Sequence, residues 1–220
     1  MTTVRIGLTG PIGCGKSTVA GWLGEHRGVV VVDADVLARH ALERGTPELR
    51  KVLARFGAGL AGEDGSLDRA ALGRMVFADP VALRDLEAIV HPAVRVRMHA
   101  AIAAAEAAGA GTVVIEAIKL VEGGLADMCD EVWLVTCSPN VQSERVVRRG
   151  SAPDDAAARI AAQGNLTVRL APRATRILDT SGGQAETRSL VEAAFTGAVA
   201  AALARAPRSE ADREPPGPSR

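Results

Sequence analysis

An α/β fold, a doubly wound parallel sheet of five strands carrying an inserted helical lobe and a lid, is predicted by three features of the sequence. Short apolar runs alternate with helical stretches, the pattern of βαβ units around a parallel sheet. The first run leads straight into a glycine-rich turn and a helix. Residues 34–109 carry helical patterning with no strand-like run, so this stretch inserts between the second and third strands. The 220 residues suit one such domain with a substantial core.

Val4-Arg5-Ile6-Gly7-Leu8-Thr9 reads as a short buried strand, and residues 17–26 place Val19, Ala20, Trp22 and Leu23 at helical spacing. Between them Gly10-Pro11-Ile12-Gly13-Cys14-Gly15-Lys16-Ser17-Thr18 matches G-x-x-x-x-G-K-[ST] at every fixed position. Glycines at 10, 13 and 15 let the backbone fold tightly enough for successive N–H groups to point at phosphate oxygens. The helix opening at Lys16 adds the positive end of its dipole, and Lys16 reaches the β- and γ-phosphates while the Ser17 hydroxyl ligates Mg2+. Gly13, Cys14, Gly15, Lys16, Ser17 and Thr18 are therefore the expected nucleotide-binding residues of a P-loop NTPase-type fold. A plain turn joining strand to helix would need the motif, the strand and the helix to coincide by accident.

Gly28 ends the first helix, and Val29-Val30-Val31-Val32 suits a strand buried on both faces of a parallel sheet. It ends at Asp33-Ala34-Asp35. Ligands gather at the carboxyl ends of such strands, so Asp33 and Asp35 are expected in the crevice of the phosphate loop. Asp33 also suits the N-cap of a helix over 34–42, a role that does not require the second carboxylate. Within the helical stretch, Thr46-Pro47-Glu48 and Asp79-Pro80 are helix starts, residues 57–65 form a glycine-rich connection, and His91-Pro92 marks a kink or break. Residues 93–108, rich in alanine and closed by Gly109, form the next helix.

Thr112-Val113-Val114-Ile115-Glu116 and Glu131-Val132-Trp133-Leu134-Val135 are the third and fourth strands, and residues 174–178 are the fifth. Glu116 ends its strand as Asp33 does, with Lys119 close behind. Ser138-Pro139 starts a helix, residues 150–153 break it, and residues 154–163 form another. This segment and its continuation carry Arg145, Arg148, Arg149, Arg159, Arg169 and Arg173. Each alone reads equally as a solvated face, but together they suit a site where charge spreads over phosphoryl oxygens. The tail over 205–220, rich in proline and charge, reads as disordered.

Charges balance at 26 basic and 26 acidic residues, so no whole-molecule field recommends nucleic acid or an anionic membrane. No apolar run is long enough for a membrane helix, and the opening residues carry no apolar leader, which makes a cytoplasmic protein the expectation. Three cysteines, odd in number and without C-x-x-C spacing, argue against a disulfide framework or a zinc site. Cys129 and Cys137 are expected as small apolar core residues, and Cys14 has no catalytic task in the loop motif.

Taken together the motifs resemble the dephospho-CoA kinases over nearly the whole chain except the tail. Residues 6–19 look like that family's phosphate loop, with Pro11 and Cys14 where glycine and serine are usual. Val32-Asp33-Ala34-Asp35 is similar to its second motif, and Leu86-Glu87-Ala88-Ile89-Val90-His91-Pro92 resembles its helical-lobe signature. Residues 131–135 with Gln142, Arg145 and Arg149 fit its strand and lid. Glu116-Ala117-Ile118-Lys119-Leu120-Val121-Glu122 departs from the usual D/E-x-P-L-L-F-E, keeping both acids and losing the proline and aromatic. Thr175 and Thr180 stand near the adenine corner where an aspartate and an asparagine are usual, and residues 164–170 lack the usual lysine.

The resemblance implies transfer of the ATP γ-phosphoryl group to the 3′-hydroxyl of dephospho-CoA, with Mg2+ as the cofactor. Lys16, Asp33, Arg145 and Arg149 become the expected catalytic residues, and Asp33, Asp35, Arg39, His91, Glu116 and Lys119 the acceptor-binding ones, His91 being better explained as a helix-ending residue before Pro92. The core spans residues 1–33, 110–139 and 172–204, the helical acceptor lobe 34–109 and the lid 140–171. A monomer is expected, with weak self-association as the alternative. Two other readings stand beside this one: another P-loop small-molecule kinase of nucleoside monophosphate or shikimate type, and a non-catalytic nucleotide-binding regulatory module.

Overall fold

The computed structural model describes residues 3–205. Five strands, β1 (Val4–Thr9), β2 (Val29–Asp33), β3 (Thr112–Glu116), β4 (Glu131–Thr136) and β5 (Arg176–Asp179), form one parallel sheet in the order β2-β3-β1-β4-β5. β1 lies at the centre, so the turn leaving its carboxyl end opens at the place where the chain order reverses. The described helices are α1 (Lys16–Gly24), α2 (Ala34–Ala41), α3 (Pro47–Phe56), α4 (Arg69–Ala78), α5 (Pro80–Ala107), α6 (Pro139–Arg148), α7 (Pro153–Gln163), α8 (Leu166–Leu170) and α9 (Gln184–Arg205).

Side-chain alternation along the strands divides the core into two layers. Val113 and Ile115 of β3 pack with apolar residues of α2 to α5, including Val52, Leu72, Val94 and Met98. Val114, one residue out of phase, joins Ile6, Leu8, Trp133 and Val135 against α1 and α9. On β4, Leu134 takes a third set of partners, Leu166 and Leu170 of α8, which seats the end of the lid segment on the sheet.

The start signals at Thr46-Pro47 and Asp79-Pro80 act as read: Thr46 Oγ1 accepts from Leu49 N at 3.2 Å and Asp79 Oδ1 from Val81 N at 2.8 Å. Three expectations are corrected. β2 is not buried on both faces: it is an edge strand, and Val30 and Val31 are 36% and 38% exposed. A valine run reports strand propensity, while strand order decides which strand lacks an outer neighbour. His91-Pro92 does not break the chain into two helices, because α5 runs unbroken through Pro92. Val90, Ala93, Val94, Met98, Ile102 and Ala105 form one buried face across the proline, and that packing outweighs a proline penalty of about 3 kcal/mol. The fifth strand starts at Arg176 rather than Ala174, its register with β4 beginning at Trp133↔Arg176, although Thr175 N–H already donates to Val132 O. The tail expected over 205–220 lies outside the described residues, apart from Arg205 at the end of α9, as do residues 1 and 2.

Candidate active site

The loop between β1 and α1 depends on glycine at two points. Gly10 sits at φ +141°, and a Cβ there would stand 2.1 Å from Val135 O on β4. Gly15 sits at φ +87° immediately before α1, a left-handed conformation that side chains rarely adopt. The turn delivers Lys16 into a buried position, where Nζ donates to Gly10 O at 2.8 Å and Pro11 O at 3.0 Å. Burial pulls the Lys16 pKa below its ordinary value, against the opposing pull of Glu116 and Asp35.

The strand tips bring the acids to this loop. Asp33 and Glu116 are register partners across β2 and β3, and Ser17 Oγ donates to Glu116 Oε1 at 2.6 Å. Burial raises the Glu116 pKa, with Asp33 adding to the shift and the Ser17 hydrogen bond opposing it. Desolvation and then the Asp33 carboxylate raise that of Asp35, which Lys16 and Arg39 oppose. Asp33 Oδ1 accepts from Asp35 N at 2.7 Å and Val36 N at 3.3 Å, so the capping role weighed from the sequence is real. The Ser17 hydroxyl and Glu116 carboxylate form a pair of hard oxygen donors, the chemistry that magnesium prefers.

Arg145, Arg148 and Arg149 line a cavity of about 450 Å³ together with Gly15, Trp22 and Gln184. Arg149 is near enough to Lys16 to lower its pKa further. The lid helices also grip the loop: Gln142 Nε2 donates to Ile12 O at 2.9 Å, and Gln163 Oε1 accepts from Ile12 N at 2.8 Å. The six arginines expected as one cluster divide. Arg169 pairs with Glu122 at 3.9 Å and Arg173 with Asp127 at 3.2 Å, while Arg159 lies exposed on α7. Sequence proximity grouped them; helix direction separates them.

The acceptor-side candidates lie along α2 and α5. Arg39 and His91 line a recess of about 210 Å³ whose wall includes Leu42, Leu86, Glu87 and Val90. Lys119 reaches its edge by pairing with Glu87. Burial lowers the His91 pKa, with Glu87 opposing. The structure thus gathers Lys16, Ser17, Asp35 and Glu116 at the loop and Arg39, His91 and Lys119 around the recess.

The cysteines are a correction. Cys14 and Cys137 form a disulfide across a Cα–Cα distance of 5.1 Å, bridging the phosphate loop to the turn before α6. Cys129 is the free thiol among the described residues, and burial pushes its pKa to about 12. Parity in a sequence says nothing about which two of three cysteines the sheet brings together. Sequence reasoning also passed over Gln163, which carries no motif signal, read Trp22 only as an apolar position of the first helix, and treated Thr180 only as a replacement.

These features define a P-loop kinase fold: a glycine-rich turn and Lys16 after the central strand, acids at the tips of β2 and β3, and lid arginines beside the turn. The dephospho-CoA kinase family model matches residues 4–186, and the chain belongs to that family. A dephospho-CoA kinase of Symbiobacterium thermophilum is 46% identical over 194 residues, covering 88% of this chain and 80% of the relative. The solved structure of TT1252 from Thermus thermophilus aligns with a TM-score of 0.73 at 33% identity, covering 90% of this chain and 98% of that one. A shikimate kinase from Acinetobacter baumannii shares the fold at a TM-score of 0.52 and 16% identity, covering 92% and 96%.

Proposed function

We propose that this chain transfers the γ-phosphoryl group of ATP to the 3′-hydroxyl of dephospho-CoA, yielding CoA and ADP, the last step of CoA biosynthesis. The observation that carries the reading is the placing of Lys16 and Ser17, at the start of α1, against Glu116 at the tip of β3, with Asp33 its register partner at the tip of β2, in a chain of the dephospho-CoA kinase family. Loop amides and Lys16 hold the β- and γ-phosphates. Ser17, with Glu116 beside it, holds magnesium, which when bound neutralises charge on the phosphates. Asp33 accepts the hydroxyl proton or orients the hydroxyl for in-line attack. Arg145 and Arg149 supply positive charge from the lid, an effect worth about 10³–10⁵ in rate in related systems.

Arg39 and His91 contact the acceptor from the helical lobe, whose boundaries we place at 34–109, and Lys119 from the loop after β3; the lid is placed at 140–171. No described helix is long and apolar enough to cross a membrane. We place the protein in the cytoplasm, as a member of a family of ATP-dependent kinases, and as a monomer with weak self-association as the alternative. ADP release by purified protein with ATP and magnesium tests the reading, using dephospho-CoA, nucleoside monophosphates and shikimate as separate acceptors. Release that depends on dephospho-CoA alone is expected; equal release with another acceptor, or none with any, would refute it.

A further inference from the structure

Thr180 follows β5 and is 3% exposed. Its hydroxyl joins three segments remote in sequence. Oγ1 lies 2.9 Å from Cys14 O in the phosphate loop and 3.1 Å from Thr136 O at the end of β4, and it accepts from Arg145 Nη1 at 2.8 Å. The Thr180 carbonyl accepts from Arg145 Nη2 at 2.7 Å, so one residue holds the guanidinium by two parallel bonds. The guanidinium is thereby laid beside the loop: a Cβ on Gly15 would stand 3.7 Å from Arg145 Nη1 and 3.6 Å from Thr180 Oγ1.

The chemistry of the partner matters as much as its position. Arg5, Arg55 and Arg176 pair with Glu106, Asp85 and Glu131, and each shares its charge with a carboxylate. Arg145 is fixed by two neutral oxygens, which orient it without cancelling its charge. Two of its five N–H groups are used on Thr180, leaving three to meet an anion. A cation aimed in advance and left unneutralised is what stabilises charge that develops during phosphoryl transfer.

We propose that Thr180 is a positioning residue that aims Arg145 at the transferring phosphoryl group and ties that aim to the phosphate loop through Cys14 O. The inference rests on the phosphotransferase reading above. Thr180→Val keeps the side-chain shape, removes the hydroxyl and leaves the backbone carbonyl in place. Loss of one hydrogen bond to a charged group predicts a fall in kcat of about 10- to 100-fold, with the KM for ATP changed less than about 3-fold. Thr180→Ser restores most of the rate. In an Arg145→Ala background, Thr180→Val has little further effect, because both changes act through one group.

Circular dichroism and thermal unfolding establish that each variant is folded. Equal kcat in Thr180→Val and the parent would overturn the proposal, as would a fall of the same size in the Arg145→Ala background or an equal loss in Thr180→Ser. A nucleotide-free measurement separates this failure from failure of the phosphotransferase reading. Nuclear magnetic resonance of the Arg145 guanidinium, assigned by its loss in Arg145→Lys, should show distinct Nη signals in the parent and averaged ones in Thr180→Val. Distinct signals in both would refute the positioning role whatever the acceptor.

Discussion

Two cations in the phosphate corner, Lys16 and Arg145, and three on or around the helical lobe, Lys119, Arg55 and Arg97, are held in opposite ways. In the corner, Lys16 donates to two loop carbonyls and Arg145 to the hydroxyl and carbonyl of Thr180. On and around the lobe, Lys119 pairs with Glu87, Arg55 with Asp85 and Arg97 with Glu48. Neutral oxygens set direction and leave the field intact, whereas carboxylates cancel it and join surfaces. The two corner cations are thus pre-organised for an anion, while Lys119, Arg55 and Arg97 serve packing. Glu116 sharpens the contrast, since its bond goes to the Ser17 hydroxyl and not to Lys16.

The largest expected effects come from the corner. Asp33→Asn should lower kcat by about 10²–10⁴ while changing the ATP dissociation constant less than about 3-fold. The cap survives, because Asn keeps an oxygen acceptor for Asp35 N and Val36 N. Lys16→Ala should instead weaken ATP binding and lower kcat together. Calorimetric titration beside steady-state rates distinguishes the pair. Parallel losses of affinity and rate in Asp33→Asn would remove Asp33 from the chemistry, and unchanged ATP affinity in Lys16→Ala would remove the loop from phosphate binding.

Why the corner was legible and its supports were not follows from range. The loop, the strand ends at Asp33 and Glu116, and the starts at Thr46 and Asp79 are set by neighbours a few residues away. Their chemistry is therefore written in short motifs. Thr180 meets Cys14 across 166 residues only because β4 lies between β1 and β5 in the sheet. The same strand order exposes Val30 and Val31 and brings Cys137 beside Cys14. Pro92 misled for the complementary reason: a local breaker was overruled by a buried face nearly the length of α5. Strand-end position and the family resemblance pointed to Glu116, but spacing could not say that Ser17 Oγ donates to its carboxylate.

A smaller expected effect tests whether the corner is covalently stiffened where the lobe is not. Closing a chain segment with a sequence separation of 123 through Cys14 and Cys137 stabilises the fold by about 2–4 kcal/mol, chiefly by restricting the unfolded chain. Thiol titration under denaturing conditions should find one thiol, Cys129, in protein prepared without reductant and three after reduction. Unfolding in denaturant should move to lower concentration on reduction, and Cys137→Ser should show the lower value throughout. Three thiols before reduction would break the bridge. Such a bond is uncommon in a reducing compartment, so the same titration on protein from a reducing and an oxidising host bears directly on cytoplasmic placement.

The smallest effect is expected at Lys119. Its side chain and that of Glu87 are 47% and 26% exposed, and pairs of this kind contribute about 0.2–1 kcal/mol. Lys119→Gln should therefore leave kcat unchanged and raise the KM for dephospho-CoA by no more than about 5-fold, which corresponds to about 1 kcal/mol. Glu87→Gln removes the carboxylate that neutralises Lys119 and leaves the ammonium free at the rim of the recess. If that rim meets an anionic acceptor, Glu87→Gln lowers the KM for dephospho-CoA, and higher salt erases the gain. If Lys119 only joins the loop after β3 to α5, both variants lose a little stability and neither moves KM. A fall in kcat beyond tenfold in Lys119→Gln would place this lysine among the corner cations and undo the contrast between the two regions.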